Sequence, residues 1–236
     1  MKPERYDIIF ERACERKGGE AAVESLLVKP LSSDQLQSIP DDRFLAELTR
    51  KVFQSGFVWK VVEQKWPDFE EVFWSFDIEK LLMMPDDMLE RKATDPKIIR
   101  HLKKVWSIRE NALMIHDVRQ REGSFAEFVA VWPEDNIIGL WAYLKKHGSR
   151  LGGNTGPYAL RALGKDTFLM TRDVEGYFRA MKIIEGSAGS QKSQKAIQLF
   201  FNRLRESSGR SLTELSRILA FGVGDNRVQA LMDTAH

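Results

Sequence analysis

Apolar residues recur along most of this chain at intervals of three and four positions, the spacing of one face of an α-helix. The longest such stripe lies in residues 96–116 and consists of Ile98, Leu102, Val105, Ile108, Ala112 and Ile115. No segment shows the convincing alternation of apolar and polar residues that marks a β-strand. The pattern therefore predicts an all-α fold of about ten helices.

Glycine, proline and acidic residues divide this pattern into separate helices. Predicted helices occupy residues 4–16, 78–84, 96–116, 124–132, 136–147, 157–164, 172–183, 190–206 and 211–222, and others begin at Asp41 and Asp86. Pro67 divides residues 57–75 into two short helical stretches, because proline breaks a helix interior. The loop that starts at Ser187 is too short to be a domain boundary, so we expect a single domain over residues 1–236.

Composition and charge narrow the class of protein. Of the 236 residues, 43% are hydrophobic and 30% charged, which is the balance of a soluble protein with a real core. The net charge of +2 means that any nucleic-acid surface is a local patch. Cys14 is the single cysteine, the N-terminus is charged, and no apolar run is long enough to span a membrane. We therefore expect a cytoplasmic protein with no membrane contact.

The most unusual local sequence is LGGNTGPYAL, residues 151–160, which crowds three glycines into a turn before a predicted helix. Such a turn leaves backbone N–H groups free at a helix start, where the helix dipole favours an anion such as phosphate. The candidate phosphate-binding residues are Gly152, Gly153, Asn154, Thr155 and Gly156, with charge added by Arg150. The alternative is a plain turn between two antiparallel helices.

The stretch LGGNTGPYA, residues 151–159, resembles the hairpin of helix-hairpin-helix DNA glycosylases, with one extra residue and without the usual proline. The helix-hairpin-helix element would span about residues 136–165. Roughly residues 40–165 also resemble DNA-3-methyladenine glycosylase I. The matching pieces are FLAEL at 44–48, FQSGFVW at 53–59, VFWSFDIEKL at 72–81, IIRH at 98–101, Asn111-Ala112, and Gly148, Gly153, Thr155 and Tyr158 in the turn.

The resemblance implies a fold with an active-site cleft between helical subdomains, and a DNA-repair activity. The protein would bind duplex DNA with a damaged base, flip that base and hydrolyse its N-glycosidic bond, with alkylated purines as the expected lesions. It would act without a cofactor, as a monomer associated with the nucleoid. Two alternatives stay open: a helix-hairpin-helix DNA-binding protein without catalysis, and a helical protein-interaction domain.

Two departures from the resembled family matter. That family joins its termini with a zinc clasp of two cysteines and two histidines, which Cys14 alone cannot supply, so we predict no metal. Helices near both termini would tie them instead. The second departure is Lys51, which stands where the family places a glutamate in the base pocket. An ammonium donates hydrogen bonds and cannot accept them, so Lys51 either changes the base preference or faces solvent.

There are four further candidate site residues, of which Trp59 and Tyr158 are matched by the same alignment, whereas the closest resembled family lacks the aspartate at Asp173. Trp59 matches the tryptophan on which a flipped base stacks, and its alternative role is in the core. Gln54, one helical turn from Lys51, could read a base edge, and Tyr158 either lines the pocket or belongs to the hairpin. Asp173 is a candidate catalytic carboxylate, although aspartate at a helix start is commonly an N-cap. Lys51 is a second candidate for a role in catalysis.

The sequence also gives predictions about lyase activity and about contacts with DNA phosphates. Pro157 or Tyr158 stands where bifunctional superfamily members hold a Schiff-base lysine, so we predict a glycosylase without lyase activity unless Lys51 takes that role. A basic cluster lies before and along the longest predicted helix: Arg91, Lys92, Lys97, Arg100, His101, Lys103 and Lys104. We expect these charges to form a solvated helix face.

Overall fold

A computed structural model describes residues 4–223 of the chain. Within this part of the chain there are fourteen α-helices, two short 3-10 turns and no β-strand, so the prediction of an all-α fold is confirmed. The expected number of about ten helices was too low. None of the described helices is long and apolar enough to cross a membrane.

The helices are numbered in chain order. They are α1 (Tyr6–Lys17), α2 (Glu20–Leu26), α3 (Ser33–Gln37), α4 (Asp41–Gln54), α5 (Trp59–Val72), α6 (Ile78–Leu82), α7 (Asp86–Ala93), α8 (Leu102–Glu122), α9 (Phe125–Val131), α10 (Ile137–His147), α11 (Thr155–Ala162), α12 (Arg172–Ala180), α13 (Gln191–Ser208) and α14 (Leu212–Phe221).

Three differences from the predicted helices have local causes. The short helices α2 and α3 were missed, although Ser32 and Gln35 form a capping box at the start of α3. Pro67 is exposed and lies within α5, which continues through it from Trp59 to Val72. Helix α8 begins at Leu102 and not at residue 96, because the His101 side chain accepts a hydrogen bond from Lys104 N–H and caps the helix there.

The described residues form two compact units, each of which has its own core. The first unit holds residues 4–30, 134–138 and 166–223, and the second holds residues 31–133 and 139–165. The prediction of a single domain stays a prediction.

The first unit joins the N-terminal helix to the helices near the C-terminal end. Helix α1 packs against α14 and α13, which is the arrangement expected in place of a zinc clasp. The Tyr177 hydroxyl donates a hydrogen bond to Glu4 at 2.8 Å, and Arg210 Nε donates to the Tyr6 hydroxyl at 2.6 Å. Among residues 4–223, no group of three or more His, Cys, Asp and Glu side chains could hold a metal ion.

The second unit is organised around α4. This helix packs against α5, α8, α9 and α11, and its inward face buries Phe44, Leu48 and Phe53 completely or nearly so. The Phe53 ring meets Phe69 of α5 edge to face, with 4.7 Å between ring centroids. Burial of such side chains contributes about 1.5–3 kcal/mol each, so α4 is a rigid support for the residues at its C-terminal end.

Candidate active site

The glycine turn is a tightly packed connection between α10 and α11. A Cβ atom at Gly148 would lie 2.5 Å from Leu151 Cδ1 and 2.8 Å from the Leu144 carbonyl oxygen, so this position requires glycine. The buried Asn111 of α8 holds the turn from below. Its Nδ2 donates to the Ser149 carbonyl at 3.1 Å, and its Oδ1 accepts from Ser149 N–H at 2.7 Å.

The six predicted phosphate-binding residues differ in what they offer. The N–H groups of Thr155 and Gly156 already donate to Gly152 and Leu151 carbonyls, at 3.3 and 3.2 Å. The N–H groups of Gly152 and Gly153 make no hydrogen bond within residues 4–223. Gly153 and Asn154 are exposed, and Gly156 is buried. The phosphate-binding role of this turn stays a prediction.

Arg150 stands on the exposed side of the same turn. Its backbone has a positive φ of 60°, and its Nε donates to the Lys103 carbonyl at 3.3 Å. A left-handed backbone is uncommon for a residue with a side chain, so the surrounding contacts fix this conformation. The arginine charge therefore has a set position beside the glycines.

Lys51 points into the protein, so of its two alternatives the solvent-facing one was wrong. Its side chain is only 14% exposed. The Nζ atom donates to Gln54 Oε1 at 2.9 Å and lies 3.2 Å from Glu47 Oε1. It also lies 5.4 Å from the centroid of the Trp59 ring. The ammonium is thus held beside the aromatic residue that the sequence placed in the base pocket.

Trp59 begins α5 and is not a core residue, because 43% of it is exposed. Tyr158 of α11 meets it edge to face, with 6.2 Å between ring centroids. Burial raises the pKa of the Tyr158 hydroxyl, which therefore remains protonated at neutral pH. The structure thus brings together the Trp59 ring, the Tyr158 ring and the Lys51 ammonium.

Gln54 is buried at the end of α4 and links two charged groups. Its Oε1 accepts from Lys51, and its Nε2 donates to Glu63 Oε1 at 2.7 Å. Both ends of the amide are therefore engaged, which fixes its orientation. All four predicted pocket residues lie together, and their roles in base binding stay predictions.

Glu47 is a member of this cluster that the sequence reasoning missed. It lies one helical turn before Lys51 on α4, its side chain is 13% exposed, and its Oε1 is buried without a hydrogen-bond partner among the described residues. Its other carboxylate oxygen lies 3.5 Å from Arg50 Nη1. The sequence could have indicated this pair, since glutamate and lysine four residues apart share a helix face.

Lys104 corrects the expectation that the whole basic cluster is solvated. It is only 5% exposed, and its Nζ donates to the carbonyls of Val52 and Ser55, each at 2.7 Å. These carbonyls lie at the C-terminal end of α4 and have no partner within the helix. Lys104 therefore fixes the segment that leads from Gln54 to Trp59.

Asp173 belongs to the first unit and is half-buried in the first turn of α12. The N-cap of this helix is Thr171, whose hydroxyl accepts from Val174 N–H at 3.3 Å, so the interpretation of Asp173 as the cap was wrong. The nearby Asp166 has a structural role, since its two carboxylate oxygens accept from the N–H groups of Leu212 and Thr213 at the start of α14. A catalytic role of Asp173 stays a prediction.

Comparisons with known proteins give the family and the fold. A family model of methyladenine glycosylases matches residues 37–159, just over half of the chain. No curated protein sequence matches the chain significantly. The chain is similar to 3-methyladenine DNA glycosylase I from Staphylococcus aureus, at 25% identity and a TM-score of 0.49, over 58% of this chain and 79% of the other.

A second solved structure is similar over a greater length. It is the 8-oxoguanine glycosylase/lyase of Methanocaldococcus jannaschii in complex with DNA that contains 8-oxoguanine. The likeness covers 91% of this chain and 96% of the other, with a TM-score of 0.53 and 14% identity, and it concerns the fold alone. The chain therefore belongs to the methyladenine glycosylase family and has the fold of the helical DNA glycosylases.

Proposed function

We propose that this protein is a monofunctional DNA glycosylase that removes alkylated purines from duplex DNA. The observation that carries the proposal is the half-exposed Trp59 ring, with Lys51, Gln54 and Tyr158 around it. A flipped base needs an aromatic surface and a few fixed polar groups, and stacking on such a ring contributes about 1–3 kcal/mol per base. The matched family model supports the choice of lesion class.

The glycine turn would hold the DNA backbone next to this pocket. A phosphate would accept hydrogen bonds from the free N–H groups of Gly152 and Gly153, at the N-terminus of α11, with Arg150 adding charge. Asn154 and Thr155 would line the same site. Helix α11, which follows the glycine turn, also carries Tyr158, so one helix would position both the phosphate and the base.

Hydrolysis would proceed through a positively charged sugar. Breaking the C1′–N9 bond develops an oxocarbenium-like state, which a carboxylate stabilises and to which it can direct water. We assign this role to Asp173. Pro157 or Tyr158 stands where bifunctional superfamily members hold a Schiff-base lysine, which supports glycosylase activity without lyase activity.

Base release from methylated DNA tests this function. Duplex DNA treated with a methylating agent is incubated with the protein, and the freed bases are identified by chromatography. We expect release of methylated purines, its loss in Trp59→Ala, and no change in Trp74→Ala, a matched removal of a tryptophan that is 37% exposed. Asp173→Asn should lower the rate without weakening DNA binding.

The outcomes separate the alternatives. Salt-dependent duplex binding without release of any base would refute the catalytic function and leave a DNA-binding protein. No DNA binding by the wild type would leave a helical interaction domain. Covalent trapping of the protein on DNA with borohydride would refute the monofunctional assignment, since it reports a Schiff base.

A further inference from the structure

Lys51 is held as a hydrogen-bond donor at the pocket. Two contacts fix its Nζ atom, one to Gln54 Oε1 at 2.9 Å and one to Glu47 Oε1 at 3.2 Å. An ammonium has three N–H groups, and of these two contacts only the one to Gln54 is a hydrogen bond, so at least one N–H remains for a bound base. The nearby Trp59 ring, 5.4 Å away, is the surface on which that base would stack.

Glu47 holds this ammonium in place by an ion pair. Its Oε1 is buried and has no hydrogen-bond partner among residues 4–223. Two cations balance the charge of the carboxylate: the Lys51 ammonium lies 3.2 Å from Oε1, and Arg50 Nη1 lies 3.5 Å from Oε2. A buried carboxylate without a nearby cation would be costly. The ion pair at the buried Oε1 therefore favours the side-chain position in which Lys51 lies beside Trp59.

A fixed donor matters differently for two classes of damaged purine. A purine alkylated on a ring nitrogen is a cation in DNA and leaves as a neutral base. An uncharged purine takes the bonding electron pair with it and leaves as an anion unless a donor stabilises it. A positioned donor in a water-excluded site stabilises developing negative charge strongly.

We propose that Lys51 is a leaving-group donor that extends this pocket to uncharged purines with acceptors at O6 and N7, and that Glu47 is its positioning residue. This inference rests on the proposed glycosylase function. In the step, the C1′–N9 bond breaks and its electron pair stays on the base, to which the Lys51 ammonium donates a hydrogen bond. Water adds its hydroxyl to C1′, and the water proton ends on the released base.

The test compares one uncharged and one cationic lesion at the same position of a duplex oligonucleotide. The lesions are hypoxanthine, which offers O6 and N7, and 7-methylguanine, which is cationic. Rates are measured with enzyme in excess over DNA, so that they report the bond-breaking step. The variants are Lys51→Met and Glu47→Gln, and the control is Lys60→Met, which removes an exposed lysine next to Trp59.

We expect the wild type and Lys60→Met to release both bases. Lys51→Met should lower hypoxanthine release about 30-fold or more, the effect of losing a charged hydrogen bond, and change 7-methylguanine release by less than about threefold. Glu47→Gln should lower the ratio of hypoxanthine release to 7-methylguanine release about tenfold, because Lys51 loses its ion pair. A fold defect would lower both rates and leave the ratio unchanged.

Three results would overturn the inference. Release of 7-methylguanine but not hypoxanthine by the wild type would refute it and leave the proposed function intact. An equal loss of both rates in a Lys51→Met protein that melts at the wild-type temperature would show that Lys51 does not discriminate between leaving groups. Failure of the wild type to release either base or any methylated purine would refute the proposed function and the inference together.

Discussion

Replacement of Lys104 by methionine tests how the pocket segment is held. Methionine keeps the length and apolar stem of the side chain and removes its charge. The change leaves the Val52 and Ser55 carbonyls without the donor that reaches each at 2.7 Å, and the Phe53 carbonyl without one at 3.3 Å. It also removes the ammonium that lies 4.6 Å from the centroid of the Phe57 ring.

The magnitude follows from two opposing effects. A hydrogen bond to a charged group contributes about 1.5–3 kcal/mol, so loss of the two bonds at 2.7 Å costs about 3–6 kcal/mol. Burial lowers the pKa of Lys104, and the charge of Arg150 lowers it further, so desolvation of the ammonium offsets part of what its hydrogen bonds contribute. We therefore expect the lower end, about 3 kcal/mol, or a fall in Tm of roughly 6–12 °C for a chain of this size.

Thermal denaturation followed by circular dichroism measures this change, with Lys97→Met as the matched control. Lys97 is exposed and pairs with Glu71 at 2.7 Å on the surface. Such a surface pair contributes about 0–1 kcal/mol, so the control should lose no more than a few degrees. If Lys104→Met melted within about 2 °C of the control, the Lys104 ammonium would not be what fixes the end of α4.

Three further predictions concern the hairpin and the first unit. Gly148→Ala should lower the free energy of unfolding by about 1–3 kcal/mol in urea denaturation, because its Cβ would lie 2.5 Å from Leu151; an unchanged midpoint would contradict this packing. Asn111→Ala should cost about 2 kcal/mol and weaken duplex binding in a titration, because Ser149 loses both partners; unaltered stability and binding would refute it. Burial and the hydrogen bond to a glutamate raise the pKa of Tyr177 well above 10. The stability that this tyrosine contributes is therefore present below pH 10 and is lost as the pH rises. Tyr177→Phe should make Tm fall less steeply above pH 10, and an unchanged slope would refute this.

Periodicity predicted the helices that bury a continuous apolar face and failed where local chemistry decides. Helix α3 has five residues and one buried side chain, Leu36, so its signal is the Ser32 cap and not a stripe. Pro67 predicts a helix break from sequence alone, because proline lacks an N–H and clashes with the preceding turn, yet α5 continues through it. The late start of α8 depends on His101 acting as a cap.

The candidate site shows the same division. Trp59 and Tyr158 could be placed beside Lys51 from the resemblance, and Gln54 from its position one helical turn after Lys51. The burial of Lys51 and Lys104 could not, since lysines are mostly exposed and only the packed neighbours reveal a partner. Glu47 supplies that partner for Lys51, and free carbonyls at the end of α4 supply it for Lys104.

Helix α11 begins at Thr155 within the glycine turn and carries Tyr158 against Trp59. Tyr158 lies three residue steps after Thr155, which is about 4.5 Å along the helix axis. One inserted residue between them would rotate the tyrosine by about 100° and carry it off the tryptophan. The hairpin can therefore change length only on the α10 side of Thr155, because the first turn of α11 fixes the distance between the glycine turn and Trp59.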